Sequence, residues 1–347
     1  MKKGINKNEN LKRILLAIAL VLGIVLFLYF VYEFGQAAIE IVTKNFHWGY
    51  LLIYALLTLF AFVPLTMRFK VILSAYGEHP SFWILLKQTI ATYTLSYITP
   101  AVRIGGEPLR AYMLKKECNI DYKTGSSSII LDKFVEFFGS LVLAMIGLVT
   151  MLVVPGIPWS LKILFIVILI ISFFITLGFY FRTIMGKGSF SSLFEMARLH
   201  KIRNWQGVPA AIREVESMAE TFFKEHKMRL FISSLFYLMT GIIFFLEIKF
   251  LLLSFGISSS IVELILVINI WGLVHFLPVP GALGFLEATQ TTLFEALKGE
   301  GSVGLALALL IRVRSLFVVA LGFLLISQFS GKLVLKEFKE KQKQARK

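Results

Sequence analysis

The sequence predicts an all-α, polytopic membrane protein built as one domain over residues 1–347, and three observations predict it. Hydrophobic residues fill 57% of the chain and charged ones only 16%, against about 25% charge in an ordinary soluble domain. A water-soluble core of this size cannot hide so much apolar surface, so the solvent is lipid. The apolar residues fall in runs of bilayer-crossing length, with 33 Phe among them. The basic residues behind the net charge of +15 stand just beyond those runs, where orientation signals and contacts to anionic headgroups belong. That placement argues against a nucleic-acid partner.

A bilayer core takes about 20 apolar residues per helix. Six segments supply them: Ile14–Tyr32, Trp48–Met67, Phe134–Val154, Leu161–Phe181, Leu230–Leu253 and Val303–Ser327. The first is too long for a secretory signal peptide and lacks the small-residue cleavage site. Two further apolar stretches, Phe82–Leu114 and Ile261–Leu297, are broken near the middle by Pro and Gly, with charge beside the break.

Charge fixes the sidedness. Lys2, Lys3, Lys7, Lys12 and Arg13 precede the first span, so the N-terminus is expected in the cytoplasm. Arg68 and Lys70 end the second span on that side. Residues 182–229, with nine Lys/Arg against five Glu, form a cytoplasmic loop whose Val208–Met228 stretch looks like an amphipathic helix lying on the membrane. The basic tail after Lys332 is expected to be cytoplasmic too. Arg103, Arg110, Lys115, Lys116 and Lys123 make the same demand, which a full crossing by Phe82–Thr99 would violate. A re-entrant hairpin entering from the cytoplasm removes the conflict, and a second hairpin entering from outside keeps the tail in the cytoplasm. The expected fold is six full spans plus two opposed re-entrant hairpins; a plain hydropathy count would give eight helices.

The broken stretches repeat each other. Pro100 stands seven residues before Glu107, and Pro280 seven before Glu287; 25 residues on lie Asp132 and Arg312, so each pair is 180 positions apart. Upstream, Lys70, Tyr76 and Gly77 match Lys249, Phe255 and Gly256 at a shift of 179. In the halves, about 48–154 and 230–327, the spans that precede the two hairpins run in opposite directions, so the repeat is inverted. Inverted repeats with helices broken near the midplane are the architecture of secondary transporters.

Thr99–Arg110 is the segment richest in chemistry. Pro100, Gly105, Gly106 and Pro108 break the backbone, which membrane depth tolerates only where it is buried in protein or lines a wet cavity. Glu107 and Arg110 share a face if Pro108 starts a helix. Intramembrane charges usually mark a pathway; the alternative is an ion pair holding the hairpin tip, or snorkelling by Arg103 and Arg110. In the second hairpin Pro278, Pro280, Gly281 and Gly284 repeat the breaks, and Glu287 is either the counterpart of Glu107 or a carboxylate in external water. His275 is a titrating group or, beside a proline turn, a hydrogen-bonded spacer. Asp132 and Glu136 lie one helical turn apart with Lys133 between them. Asp132 is expected to pair with Arg110, and Arg312, deep in the last span beside Arg314, with Glu287, as gates or as folding staples. Glu247 and Lys249, two apart, are expected at the interface.

Absent motifs narrow the function. No G-x-x-x-x-G-K-[ST] occurs, so nucleotide hydrolysis has no signature. The five His are scattered without ligand spacing and Cys118 is the sole cysteine, so neither a metal site, a disulfide nor any other cofactor is expected.

Thr99-Pro…Gly-Gly-Glu-Pro-x-Arg110, Pro278-x-Pro-Gly-x-x-Gly-x-x-Glu287 and the later Arg312 together resemble the lysylphosphatidylglycerol synthase transmembrane region, also called the flippase-like or UPF0104 membrane proteins. Phe285 departs from the second motif, so a role tied to a polar residue there would not transfer. The resemblance implies a prokaryotic plasma membrane and a lipid translocase moving aminoacylated (lysyl) phosphatidylglycerol between leaflets. It also implies a stand-alone module without the synthase domain, not an enzyme by itself, working on membrane phospholipid and in partnership with a separate lipid-modifying synthase where one exists. Glu107, Glu287 and Asp132 would accompany the cationic headgroup, and Arg110 and Arg312 would hold its phosphate. An isoprenoid-phosphate or glycolipid cargo, a phosphatidylglycerol lysyltransferase component and a cargo-free scaffold are the alternatives.

Overall fold

The computed structural model describes residues 7–44, 46–100, 104–155, 159–184, 208–275, 277 and 279–345. They form twelve α-helices: α1 (Lys7–Lys44), α2 (Trp48–Phe60), α3 (Phe62–Ser74), α4 (Phe82–Ile98), α5 (Glu107–Cys118), α6 (Tyr122–Val153), α7 (Trp159–Ile184), α8 (Val208–Glu225), α9 (Lys227–Ser254), α10 (Ile261–Val274), α11 (Phe285–Lys298) and α12 (Gly301–Ala345). A 3-10 turn at Pro280–Ala282 lies between α10 and α11. The protein is an all-α polytopic membrane protein.

Five segments are long and apolar enough to cross a bilayer among the described residues: Ala17–Lys44, Trp48–Ser74, Tyr122–Val153, Lys227–Ser254 and Gly301–Gly331. The sixth expected span falls within α7, 26 residues long. Some boundaries differ from the sequence expectation. The first span continues twelve residues beyond Tyr32, because Glu33 and Glu40 are single polar positions in an otherwise apolar helix. The second divides at Ala61, between α2 and α3. Pro64 has no N–H to donate to the Phe60 carbonyl, which ends the regular ladder there. The last helix runs on through the basic tail to Ala345.

The helices of both broken stretches are short, as the re-entrant expectation requires. At about 1.5 Å per residue, the 12 residues of α5 and the 14 each of α10 and α11 fall short of a hydrocarbon core about 30 Å thick. Each hairpin closes at its base. Gln88 Nε2 near the start of α4 donates to Glu117 Oε2 at the end of α5 (2.9 Å). Lys298 Nζ at the end of α11 donates to the Ser258 carbonyl just before α10 (3.2 Å) and pairs with Glu263 (3.0 Å). At the first tip, a Cβ on Gly106 would stand 2.1 Å from the Thr92 carbonyl oxygen, so only glycine lets α5 begin against α4.

The repeat is written in the helix boundaries. Trp48 and Lys227, Phe82 and Ile261, Tyr122 and Gly301 each begin matching elements 179 positions apart. Gly77 and Gly256 take φ of 77° and 76° and close their helices alike. The N–H of Glu78 reaches the Leu73 carbonyl (3.2 Å) and that of Ile257 the Leu252 carbonyl (3.0 Å), the long bond of a Schellman cap. The two series run antiparallel: the His47 N–H, at the start of α2, donates to the Ser254 carbonyl at the end of α9 (2.9 Å).

The amphipathic segment behaves differently from the expectation. The α8 face carrying Ala219, Phe222 and Phe223 is buried against Ile72, Leu131 and Phe134, and the Tyr76 hydroxyl donates to the Met218 carbonyl (3.1 Å). Protein, not lipid, covers that face. Residues 185–207 of the expected loop lie outside the described residues.

Candidate functional site

Glu107 opens α5 with Gly106 as its N-cap and Pro108 in its first turn. A carboxylate there complements the helix dipole, and Arg110, three residues on, lies on the same face. The Arg110 Nη1 donates to Asp132 Oδ2 of α6 (3.2 Å), and its guanidinium rests 3.5 Å from the centre of the Phe69 ring, a cation–π contact. Asp132 is also gripped by Arg68 of α3, whose Nε and Nη2 reach Oδ1 and Oδ2 at 2.6 and 3.1 Å. That is the forked geometry of a strong arginine–carboxylate pair. Arg68 Nη2 extends to Glu136 Oε2 (3.4 Å). Lys133 Nζ lies 2.9 Å from Glu107 Oε1 and 3.1 Å from Glu136 Oε2. Three cations and three carboxylates form one network, formally neutral, with Arg68, Glu107, Arg110 and Asp132 all buried.

The second hairpin builds a simpler set. Glu287 is fully buried, not bathed in external water. Its Oε2 accepts the Gly284 N–H (2.8 Å) and its Oε1 the Arg312 Nε (2.6 Å). Arg312 Nη1 also reaches the Tyr97 hydroxyl (3.4 Å) and the Gly281 carbonyl (3.3 Å). It thus ties the end of α4 to the second hairpin's turn. The expected pairs Asp132–Arg110 and Arg312–Glu287 both form. The interfacial expectation for Glu247 is overturned. Its carboxylate is buried, accepts from Arg314 Nη2 (3.1 and 3.3 Å) and from the Thr58 hydroxyl (2.6 Å), because an ion at that depth needs its counter-ion. Lys249 is exposed on α9.

A cavity of about 240 Å³ lies where the two hairpin tips meet. Arg68, Glu107, Arg110, Asp132, Lys133 and Glu136 line one side; Trp271, His275, Gly281 and Arg314 contribute to the rest. Glu287 and Arg312 stand behind the tip contact, outside the lining. Arg68 Nη1, Arg110 Nε, Trp271 Nε1 and the Thr92 hydroxyl are buried without a hydrogen bond, as is Glu107 Oε2. His275 donates through Nδ1 to the Trp271 carbonyl (2.8 Å), the spacer geometry. Pro100, Gly105, Gly106 and Pro108 lie at or beside the first tip, and Pro280, Gly281 and Gly284 at the second. Arg103 and Pro278 lie outside the described residues. Among the described residues no group of three or more His, Cys, Asp or Glu is placed to hold a metal ion.

Sequence reasoning missed Arg68, which looked like the charged end of a span. The repeat held the signal. A shift of 179 sets Arg68 on Glu247, and each pairs with a partner on the helix after its hairpin: Arg68 with Asp132, Glu247 with Arg314. Arg68 and Glu247 thus hold matching positions with opposite charge, while their partners do not match: the repeat sets Asp132 on Arg312, two residues before Arg314.

The family model described as the lysylphosphatidylglycerol synthase TM region matches residues 14–322. A UPF0104 membrane protein of Methanothermobacter thermautotrophicus is 22% identical over 91% of this chain and 96% of its own length. A second from that organism is 24% identical over 77% of this chain and 79% of its own length. A UPF0104 membrane protein of Pyrococcus horikoshii is 24% identical over 79% of this chain and 82% of its own. No solved structure matches.

Proposed function

The chain belongs to the family of the lysylphosphatidylglycerol synthase transmembrane region, and on that membership and the cavity's geometry we propose that it is a lipid translocase. The cargo is a membrane phospholipid, with aminoacylated phosphatidylglycerol the first candidate, and the membrane is a prokaryotic plasma membrane with both termini in the cytoplasm. One observation carries the reading: a cavity lined by charges of both signs between the tips of two opposed hairpins.

Charges at this depth are tolerated because each is paired, and Arg68, Arg110 and Glu107, which carry buried atoms without hydrogen bonds, are among the residues that line the cavity. Arg68 Nη1 and Arg110 Nε are donors for a phosphate, while Glu107 and Glu136 are acceptors for an amine. The acyl tails stay in lipid while the headgroup passes through the polar cavity. Passage requires the tip contact of Arg312 with Tyr97 and Gly281 to open, and the inverted repeat supplies the rocking element. Gly106 and Gly281 keep the tips thin, so that little backbone separates the cavity from the far side.

The unbonded arginine donors favour a second cargo class as well, an isoprenoid-phosphate or glycolipid carrier with an anionic head. Partnership with a separate lipid-modifying synthase is part of the first reading. The test compares fluorescent lysyl-phosphatidylglycerol with phosphatidylglycerol in proteoliposomes, wild type beside Glu107→Gln at matched protein density. Faster movement of the lysyl lipid, lost in the variant, is expected. Equal movement of both lipids would indicate a general scramblase. No movement of either, and none of an isoprenoid phosphate, would refute translocation.

A further inference from the structure

Lys133 sits where a cargo amine belongs. Its neighbour Asp132 is committed to Arg68 and Arg110, and the Lys133 side chain turns away from that fork to place its ammonium between Glu107 Oε1 (2.9 Å) and Glu136 Oε2 (3.1 Å). Both carboxylates line the cavity, and so does Lys133. The result is a primary alkylammonium held by two carboxylates on a cavity wall, the arrangement an amine-bearing headgroup would form.

Two properties separate Lys133 from the arginines beside it. Its side chain is 18% exposed, against 3% for Arg68 and 5% for Arg110. It is also a single point charge on a flexible four-carbon stem, whereas each arginine is a planar fork fixed to Asp132. Of the three cations, it is the one that can leave without dismantling the network. The phosphate side of the cavity needs no such departure, since Arg68 Nη1 and Arg110 Nε are already unbonded. The amine side has its carboxylates occupied.

We propose that Lys133 is a tethered stand-in for the cargo's ammonium: a primary amine on the headgroup binds by displacing Lys133 from Glu107 and Glu136, and Lys133 returns when the cargo leaves. The inference rests on the translocase reading and specifies which residue sets selectivity for amines. It also explains how the unloaded site is held at membrane depth. Without the ammonium, the empty cavity would expose two carboxylates to a medium that disfavours them strongly; with it, the unloaded network is neutral. The device weakens amine binding in return, because every incoming amine competes with a tethered one.

The test measures binding of lysine methyl ester, a soluble primary amine resembling the aminoacyl head, to purified full-length protein by calorimetry. Lys133→Met removes the competitor and keeps an apolar stem, so binding is expected to tighten about tenfold. Lys133→Arg keeps the charge and holds both carboxylates with a fork that is harder to displace, so binding is expected to weaken about tenfold. A residue that only maintained the fold would not move affinity in opposite directions. Unchanged affinity in Lys133→Arg, or weaker binding in Lys133→Met, overturns the proposal. If Lys133→Met does not fold, Lys133→Arg decides alone, since it preserves the network's charge. Amine binding that follows Lys133 in a protein moving no lipid would overturn the translocase reading and support the stand-in. Lipid movement with amine affinity indifferent to Lys133 would do the reverse.

Discussion

The pair Glu247–Arg314 separates a buried ion pair from an interfacial carboxylate by its energetics. At the interface, removing Glu247 would cost about 0–1 kcal/mol. Where the carboxylate actually lies it is 1% exposed, and it accepts from Arg314 Nη2 at 3.1 and 3.3 Å and from Thr58 at 2.6 Å. Truncation to Leu leaves a guanidinium that is 7% exposed without its counter-ion, which costs about 3–5 kcal/mol. Arg314→Met strands the carboxylate and costs a similar amount. Glu247→Leu with Arg314→Met replaces the pair by apolar groups of similar volume, a change that is often neutral. What remains is the lost acceptor of the Thr58 hydroxyl, about 1 kcal/mol. Additive losses would reach roughly 6–10 kcal/mol, so a coupling of several kcal/mol is expected from the cycle. Unfolding followed by tryptophan fluorescence in mixed micelles measures it. Single variants that each lose less than about 1 kcal/mol, or a double variant that loses their sum, would refute the reasoning.

In a Cys118→Ser background, Lys116→Cys and Glu300→Cys lie at exposed positions at the bases of the first and second hairpins. A membrane-impermeant maleimide should label them from opposite faces, with Lys116→Cys on the side of the N-terminus; labelling of both from one face would contradict opposed re-entry. Gly106→Ala places a methyl 2.1 Å from the Thr92 carbonyl oxygen, a backbone atom that cannot step aside. Helix α5 must shift, which at the cost of overpacking, about 1–3 kcal/mol, should lower thermal stability and displace Glu107 enough to abolish lipid movement. Wild-type stability and transport in that variant would show the tip to be looser than the structure has it.

Helix class, hairpin positions and the repeat were legible because each depends on local chemistry. Apolar run length sets a span, and Pro and Gly set a break. The pairs Asp132–Arg110 and Arg312–Glu287 were legible because the repeat aligned their positions and their charges were opposite. Arg68 and Glu247 were not. Each sits near the end of a long apolar run, where sequence alone cannot separate snorkelling to the interface from burial against another helix. Only the packing of α3 on α6 and of α9 on α2, where Arg314 reaches both Glu247 and Thr58, decides that. The same holds for α8, whose apolar face suits a membrane surface and a protein groove equally well; Phe222 and Phe223 meet Phe134 and Ile72, 88 or more positions away.

The cavity is asymmetric. The first hairpin's charges line the cavity, whereas Glu287 and Arg312 lie outside its lining. The repeat sets Arg110 on Gln290. Gln290 Oε1 and the Thr291 hydroxyl are buried without hydrogen bonds. Polar groups left unbonded at depth cost free energy, so a rearrangement that gave them partners would be favoured. An inverted repeat that exchanges the states of its halves would open this second half-site as the first closes. Gln290→Cys, in the Cys118→Ser background, should therefore be labelled slowly by maleimide in the resting protein and faster once cargo lipid is supplied, while Ser96→Cys at the first tip becomes slower. Labelling rates that ignore the cargo at both positions would mean that the two half-sites do not exchange, and that the unbonded groups of the second belong to a fixed core.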